Sequence, residues 1–164
     1  MQESVEQFLE HVARRGSWVG GGSVAALGAA LAAALLEKLV VDARTVKTLR
    51  RLRREGLELV RRDAEAFARV IQATRTGRRT AVRQALKAAT EIPCRVVEVA
   101  RIVQAACRSA RRSIKPQFQS DLVCAQAMAE AAERAGQALI RTNLAWLKDP
   151  AYAARLSRRL RRAA

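Results

Sequence analysis

Histidine, cysteine and aromatic side chains are scarce in this sequence, and their scarcity narrows the chemistry it can support. The chain of 164 residues has one histidine, three cysteines and only 4% aromatic residues. No Cys-x-x-Cys pair accompanies His11, so the usual zinc-ligand patterns are missing. An odd number of cysteines also argues against a disulfide framework. We therefore expect no bound metal and no disulfide bond.

The three cysteines, Cys94, Cys107 and Cys124, each fall within an apolar helical pattern. A free cysteine in such a pattern is usually a small buried side chain. Because this use of cysteine suits a reducing compartment, we expect a cytoplasmic protein.

Strand patterns and prolines are also rare. The chain contains only three prolines, and no segment alternates apolar and polar residues long enough to indicate a strand. The hydrophobic residues, 50% of the chain, are mainly Ala, Leu and Val, a composition typical of closely packed helices. The length matches one domain, so we expect residues 1–164 to form a single helical domain.

The net charge is strongly positive. Lys and Arg number 31 against 15 Asp and Glu, which gives a formal charge of +16 and favours anionic partners. Nucleic acid and a polyanionic small molecule are both candidates, and a merely solvated arginine-rich surface is the third. No nucleic-acid-binding motif or aromatic stacking surface is evident. We therefore expect nucleic acid to bind only through nonspecific charge, in a salt-dependent manner.

Charged residues are absent between Trp18 and Leu36, a run long enough to raise the question of a membrane span. Its glycines and many alanines make it a poor span beside one rich in Leu, Ile and Phe. The charged amphipathic segment before it and the lack of a small-x-small site after it do not fit a signal peptide. We interpret the run as a buried bundle helix and expect no membrane association.

Helical periodicity and helix-breaking residues predict six helical segments. Pro93 is expected to kink the fourth helix or split it into two. Ser120 or Asp121 is expected to cap the fifth. The predicted segments are Ser4–Arg14, Ser23–Arg44, Thr45–Thr74 followed by Gly77, Arg79–Ser113, Ser120 or Asp121 to Leu147, and a terminal helix from Pro150 to the arginines ending at Arg162.

These segments predict an all-α fold, an up-and-down bundle of about five to six helices. The second helix is apolar almost all round until Glu37, which is typical of a central helix. One chain is not expected to cover it fully, so a homodimer is predicted.

A glycine-rich loop, Gly20-Gly21-Gly22-Ser23, stands directly before this second helix. Unpaired amides and the helix dipole at such a place favour a carboxylate, a phosphate or a ring carbonyl. Taken alone, the loop could equally be a flexible connection. The absence of a following lysine and of a preceding strand excludes a Walker loop and a Rossmann loop.

Two carboxylates are candidates for proton transfer. Asp63 and Asp121 each lie in or at the start of a helix dominated by apolar and basic residues. Either could act as a general acid or base if it were desolvated. The simpler interpretations are an exposed partner for an arginine at Asp63 and a helix cap at Asp121.

Taken in order, several motifs of this chain resemble the cyclodeaminase/cyclohydrolase family of folate enzymes, and the resemblance extends over nearly the whole sequence. The eight residues from Gly20 to Leu27 carry its most specific part. The matching segments are Gly20-Gly21-Gly22-Ser23-Val24-Ala25-Ala26-Leu27, Asp63 to Phe67, Ile92-Pro93, Ser120-Asp121-Leu122 and Arg141-Thr142-Asn143-Leu144.

The resemblance implies an all-α dimer that binds a folate near the glycine loop, at the subunit interface and without metal. A tetrahydrofolate derivative would be the substrate, and no cofactor would be bound permanently. Asp63 is the first choice for proton transfer and Asp121 the second. Folate-binding residues would be Gly20, Gly21, Gly22 and Ser23, through their amides, with help from Arg141 or Asn143.

Family members either close 5-formiminotetrahydrofolate to the methenyl form with loss of ammonia, or hydrolyse methenyltetrahydrofolate. A separate formiminotransferase domain is absent from this chain, which favours the cyclohydrolase reaction over a fused deaminase, but a partner protein could provide the first step, so both reactions stay open. Both reactions move protons at a one-carbon unit, so a positioned carboxylate in a rigid pocket would suit either.

The sequence also departs from the family pattern. Ser17-Trp18-Val19 replaces a proline-containing approach to the glycines, and Leu139 stands where the family usually has Asn. The distance from Gly20 to Asp63 is shorter than usual by several helical turns, so two facing helices must both be trimmed. The alternative is therefore a shortened, non-catalytic relative, a helical dimer that binds an anionic ligand or a protein partner.

Overall fold

The computed structural model describes residues 4–162 and contains six α-helices, with no strand in that range. One short 3-10 turn, Pro116–Phe118, precedes the fifth helix. The helices are α1 Val5–Ala13, α2 Gly21–Leu39, α3 Ala43–Arg75, α4 Arg79–Ala110, α5 Gln119–Leu147 and α6 Pro150–Arg162. The predicted all-α class is confirmed.

Helices α2 to α5 form an up-and-down bundle with α2 in contact with the other three. Glu37 near the end of α2 accepts hydrogen bonds from Arg50 and Arg53 near the start of α3. At the start of α2, Ser23 bonds Asp63, farther along α3. The two helices are therefore antiparallel, and Asp63 lies beside the N-terminus of α2.

The core around α2 depends on small side chains. Nine of its residues are buried, most of them alanines. By length and composition α2 could cross a membrane, yet half of it is buried within this bundle. Small residues bring the helix axes close together, since an added Cβ at Gly56 of α3 would lie 2.8 Å from the Cβ of Ala30.

A series of ion pairs connects helix α6 to α4. Arg159 of α6 bonds Glu91 and Glu98 of α4 at 2.5 and 2.9 Å. Glu98 also accepts from Arg95, which bonds Glu55 of α3. Part of the positive charge is thus paired across the outer surface of the bundle.

The boundary between the second and third helices differs from the prediction. Helix α2 ends at Leu39 rather than at Arg44, and α3 begins at Ala43. The cause is Asp42, whose carboxylate accepts from the Thr45 amide at 2.8 Å and caps α3. The β-branched Val40 and Val41 between the two helices are weak helix formers.

Two further predictions about helices are corrected. For Pro93 the prediction was a kink or a split, and the split is wrong: Pro93 lies inside a single α4, where Gly136 of α5 packs against its carbonyl. Neither Ser120 nor Asp121 caps α5, since the 3-10 turn leads directly into a helix that begins at Gln119.

Two of the three cysteines are buried, as the sequence analysis predicted. Cys94 and Cys107 are buried, and burial raises the pKa of their thiols to about 12 and about 11. Cys124 is exposed on α5, so its interpretation as a buried side chain is wrong.

The close packing of α2 on α3 predicts opposite effects for two glycine substitutions. Gly56→Ala should lower the free energy of unfolding by about 1–3 kcal/mol, because its Cβ would overlap Ala30. Gly28→Ala is the matched control: its Cβ would lie 3.8 Å from that of Ala132, an ordinary contact. It should raise stability by up to about 1 kcal/mol through helix propensity. Urea unfolding measures both, and stabilisation by Gly56→Ala would contradict the close approach.

Candidate active site

A cavity of about 270 Å³ opens where the N-terminus of α2 faces α3, α4 and α5. Gly20, Gly21 and Gly22 form one edge of it, and Asp63 of α3 lies next to them. The opposite wall is mostly apolar and comes from α3, α4 and α5. Its members include Val70, Leu86, Ala89, Pro93 and Leu139.

Asp63 is pressed against the first turn of α2. Its Oδ2 accepts a hydrogen bond from Ser23 Oγ at 2.9 Å. A Cβ added to Gly22 would lie 2.0 Å from Asp63 Oδ1, so no other residue type fits there without displacing the carboxyl group. The glycine at position 22 is thus needed for the close approach of carboxyl group and helix.

Asp63 is the one ionisable residue in the cavity wall, as far as residues 4–162 show. Burial raises the pKa of its carboxyl group, and the hydroxyl and amide of Ser23 oppose this shift by favouring the charged form. A raised pKa makes the Asp63 carboxylate a stronger proton acceptor and brings its titration closer to neutral pH. The cavity therefore holds a candidate general acid and base.

The first turn of α2 lies at the edge of the cavity. The first N–H groups of a helix have no acceptor within it, and here Gly20 provides no side-chain cap for α2. The Ser23 amide faces Asp63, whereas Gly21 and Gly22 lie at the edge of the cavity. Their amides can hold a carbonyl or carboxylate oxygen at the positive end of the helix dipole.

Aromatic side chains, which the sequence analysis did not assign to the site, flank the cavity. Trp18, Phe67 and Trp146 all line it and are each a little under half exposed. The rings of Trp18 and Phe67 meet edge to face with centroids 6.2 Å apart. The chain has only six aromatic residues, so the presence of both tryptophans here makes a flat ring a fitting ligand.

One signal in the sequence could have found part of this wall. Leu139, Thr142, Asn143 and Trp146 follow the spacing of one helical face on α5, and all four line the cavity. Trp18 has no such signal, because it lies in the connection between α1 and α2.

The structure brings most of the predicted site residues together. Gly20, Gly21, Gly22, Asp63 and Asn143 line one cavity, and Ser23 is buried directly behind Asp63.

Two predicted residues lie apart from them. Arg141 is exposed on α5 and does not line the cavity. Asp121 bonds Lys38 at 3.1 Å, near the end of α2. Lys38 lies sixteen positions after Gly22 on α2, about 24 Å along the helix axis at 1.5 Å per residue. The two candidate carboxylates are therefore at opposite ends of the bundle.

Within the part of the chain that the structure describes, no group of three His, Cys, Asp or Glu side chains is arranged to hold a metal ion.

Comparisons with known proteins agree on the family and the fold. A family model described as formiminotransferase-cyclodeaminase matches residues 4–162. Among solved structures, the chain is similar to formiminotetrahydrofolate cyclodeaminase from Thermotoga maritima, with a TM-score of 0.91 and 22% sequence identity. The match covers 99% of this chain and 88% of that one. No curated protein matches the chain.

The raised pKa of Asp63 predicts a pH-dependent effect of Asp63→Asn on stability. The folded protein holds the Asp63 proton more tightly than the unfolded chain, so ionised Asp63 lowers the free energy of unfolding. Below the unfolded pKa of about 3.9 both states are protonated and this cost disappears. Asp63→Asn should therefore stabilise the protein more at pH 7 than at pH 3, as measured by urea unfolding. An equal effect at both pH values would contradict the raised pKa.

Proposed function

The chain belongs to the formiminotransferase-cyclodeaminase family, and from this membership we propose that it is a tetrahydrofolate one-carbon enzyme, a formiminotetrahydrofolate cyclodeaminase. The observation that carries the proposal is a single carboxyl group with a raised pKa in an aromatic-lined cavity at a helix N-terminus. The reaction needs one group that both accepts and returns a proton, and a surface that holds a flat ring.

The cavity wall suits the binding of a reduced folate. Trp18, Phe67 and Trp146 offer apolar and aromatic surface to the fused rings. The amides of Gly21 and Gly22 would receive a polar edge of the substrate, and the Asn143 side chain supplies a donor and an acceptor on the facing helix. No cofactor takes part in this proposal.

In the proposed reaction, the formimino group of 5-formiminotetrahydrofolate enters protonated, as an amidinium cation; N10 attacks its carbon and closes a five-membered ring, which leaves an amino group on that carbon. Asp63 accepts the proton that N10 loses. The carboxyl group then returns this proton to the amino group on the same carbon, which leaves as ammonia and gives 5,10-methenyltetrahydrofolate. One carboxyl group close to both nitrogens is sufficient, because no net proton is gained or lost by the protein.

Asp63→Asn should reduce kcat by at least about 100-fold, because an amide cannot accept the N10 proton. The measurement is the absorbance of methenyltetrahydrofolate formed from 5-formiminotetrahydrofolate, with released ammonia determined in parallel. Circular dichroism checks that the variant stays helical.

Asp121→Asn decides between the two candidate carboxylates. Since Asp121 pairs with Lys38 at the far end of the bundle, this variant should turn over substrate as fast as the wild type. Loss of activity in Asp121→Asn, with Asp63→Asn still active, would reverse the assignment. A wild type that only hydrolyses methenyltetrahydrofolate would be a cyclohydrolase, and one inactive on both would be the non-catalytic relative.

We also propose a homodimer formed through α2 and α5. One side of α2 remains uncovered, with Val24 45% and Leu31 46% exposed. Beside it, α5 exposes small side chains at helical spacings, namely Cys124, Ala127, Ala131 and Ala138. This largely apolar surface, interrupted on α5 by the exposed Arg134, suits a self-complementary interface between two copies. Because Gly21 and Leu139 border this surface, the partner would lie near the cavity.

Leu31→Glu should convert the dimer into a monomer, because it would bury an unpaired charge in the interface. Leu57→Glu is the matched control: Leu57 is also 46% exposed but lies on α3, away from the proposed interface. Sedimentation should give twice the chain mass of 18.0 kDa for the wild type and the control. A monomeric wild type, or equal dissociation in both variants, would contradict the interface.

A further inference from the structure

The Ser23 hydroxyl lies between two acceptors. Its Oγ is 2.9 Å from Asp63 Oδ2 and 3.2 Å from the backbone oxygen of Val60, one helical turn earlier on α3. Ser23 is fully buried, so water does not compete for either bond. A serine hydroxyl has one hydrogen and two lone pairs, and it can rotate. It can therefore point its hydrogen at either acceptor, but bonds only one of them fully at a time.

The protonation state of Asp63 selects the acceptor. When Asp63 is ionised, the hydroxyl donates to Oδ2, because a bond to a charged acceptor is stronger than one to a carbonyl. When Oδ2 carries a proton, that proton is donated to Ser23 Oγ. The serine hydrogen must then turn to the Val60 carbonyl, which has a second lone pair beyond the one used in its helix. Both states of Asp63 are thus hydrogen-bonded by the same side chain.

We propose that Ser23 is a positioning residue whose hydroxyl switches between Asp63 and the Val60 carbonyl as Asp63 loses and gains its proton. Its relevance to catalysis rests on the proposed function, in which Asp63 takes a proton from N10 and returns it. Asp63 would otherwise lose a hydrogen bond in one of its two states. The switch keeps the carboxyl group in one place through the cycle, in the space that the missing side chain of Gly22 leaves beside α2.

No charged side chain competes with Ser23 for Asp63 among the described residues. The residues of α2, α4 and α5 that line the cavity carry no charge. Five charged residues that lie close in sequence to parts of the site are exposed and do not line the cavity. They are Arg62 and Glu65 on α3, Arg141 on α5, and Arg14 and Arg15 before the glycine loop. The pKa of Asp63 is set by burial and, against it, by Ser23 alone.

The direct test follows the backbone carbonyl of Val60 by carbon-13 NMR while the pH is varied. In the wild type, the Val60 carbonyl signal should shift with the same midpoint as the Asp63 carboxyl signal, because it gains a hydrogen bond when Asp63 is protonated. In Ser23→Ala the Asp63 midpoint should move to higher pH, and the Val60 shift should disappear. Asp63→Asn assigns the carboxyl signal.

Thr90→Val is the matched control. Thr90 is also a fully buried hydroxyl residue that bonds a backbone oxygen, that of Leu86 at 2.6 Å, but it has no contact with Asp63. Its substitution should leave both titrations unchanged. A Val60 signal that does not titrate in the wild type, or that titrates equally in Ser23→Ala, would overturn the switch whether or not the protein is an enzyme.

Measurements of kcat distinguish a switching Ser23 hydroxyl from one that only donates a hydrogen bond to Asp63. Ser23→Ala should lower kcat by about tenfold or more, with KM unchanged. The loss should persist above the raised pKa of Asp63, where its carboxyl group is fully ionised. Recovery of wild-type kcat at high pH would show that Ser23 only adjusts the charge of Asp63, which would contradict the switch. An inactive wild type with the predicted Val60 titration would refute the proposed function and leave the switch standing.

Discussion

The contact between the Asp63 carboxyl group and the first turn of α2 is the constraint on which the site depends. It needs a residue without a side chain at position 22, since a Cβ there would lie 2.0 Å from Asp63 Oδ1. It also needs an antiparallel α2 and α3, so that a residue far along α3 returns to the start of α2. Small residues at Ala26, Ala30 and Gly56 permit that close pairing. The glycine loop is therefore part of the packing of the bundle as well as a potential ligand site.

The positively charged side chains lie outside the cavity wall. Exposed arginines cover the outer helices, and several are paired, as in the chain of ion pairs that fastens α6 to α4. The cavity wall instead combines apolar and aromatic side chains with one acid. A charge of +16 can attract an anionic ligand to the molecule, but the cavity itself is suited to a flat, largely uncharged ring system. The glutamate portion of a folate would then lie outside the cavity, toward the basic surface.

The sequence predicted the helices well, because apolar spacing of three and four residues persists over long segments and local breakers such as Gly77 end them. Its predictions were wrong where tertiary contacts or local capping determine where a helix begins or continues. Pro93 stays within α4 because α5 packs against it at Gly136, and Asp42 starts a new helix within a run that reads as continuous.

Asp63 and the glycines were identified through a family resemblance, and the bundle brings them together. Trp18 and Trp146, 128 positions apart in the sequence, line the same cavity only because of the fold. The placement of Asp121 follows from the up-and-down topology, since the start of α5 must lie beside the end of α2.

Both tryptophans of the chain line the proposed folate site, so their fluorescence reports directly on its occupancy. The most direct measurement is a titration of the protein with 5-formyltetrahydrofolate, a stable reduced folate, followed through tryptophan emission corrected for absorption by the ligand. Our account predicts a saturable change in emission, as the ring system enters between Trp18, Phe67 and Trp146. Emission that stays constant, or falls in proportion to ligand without saturation, would contradict the central claim that this cavity binds a reduced folate.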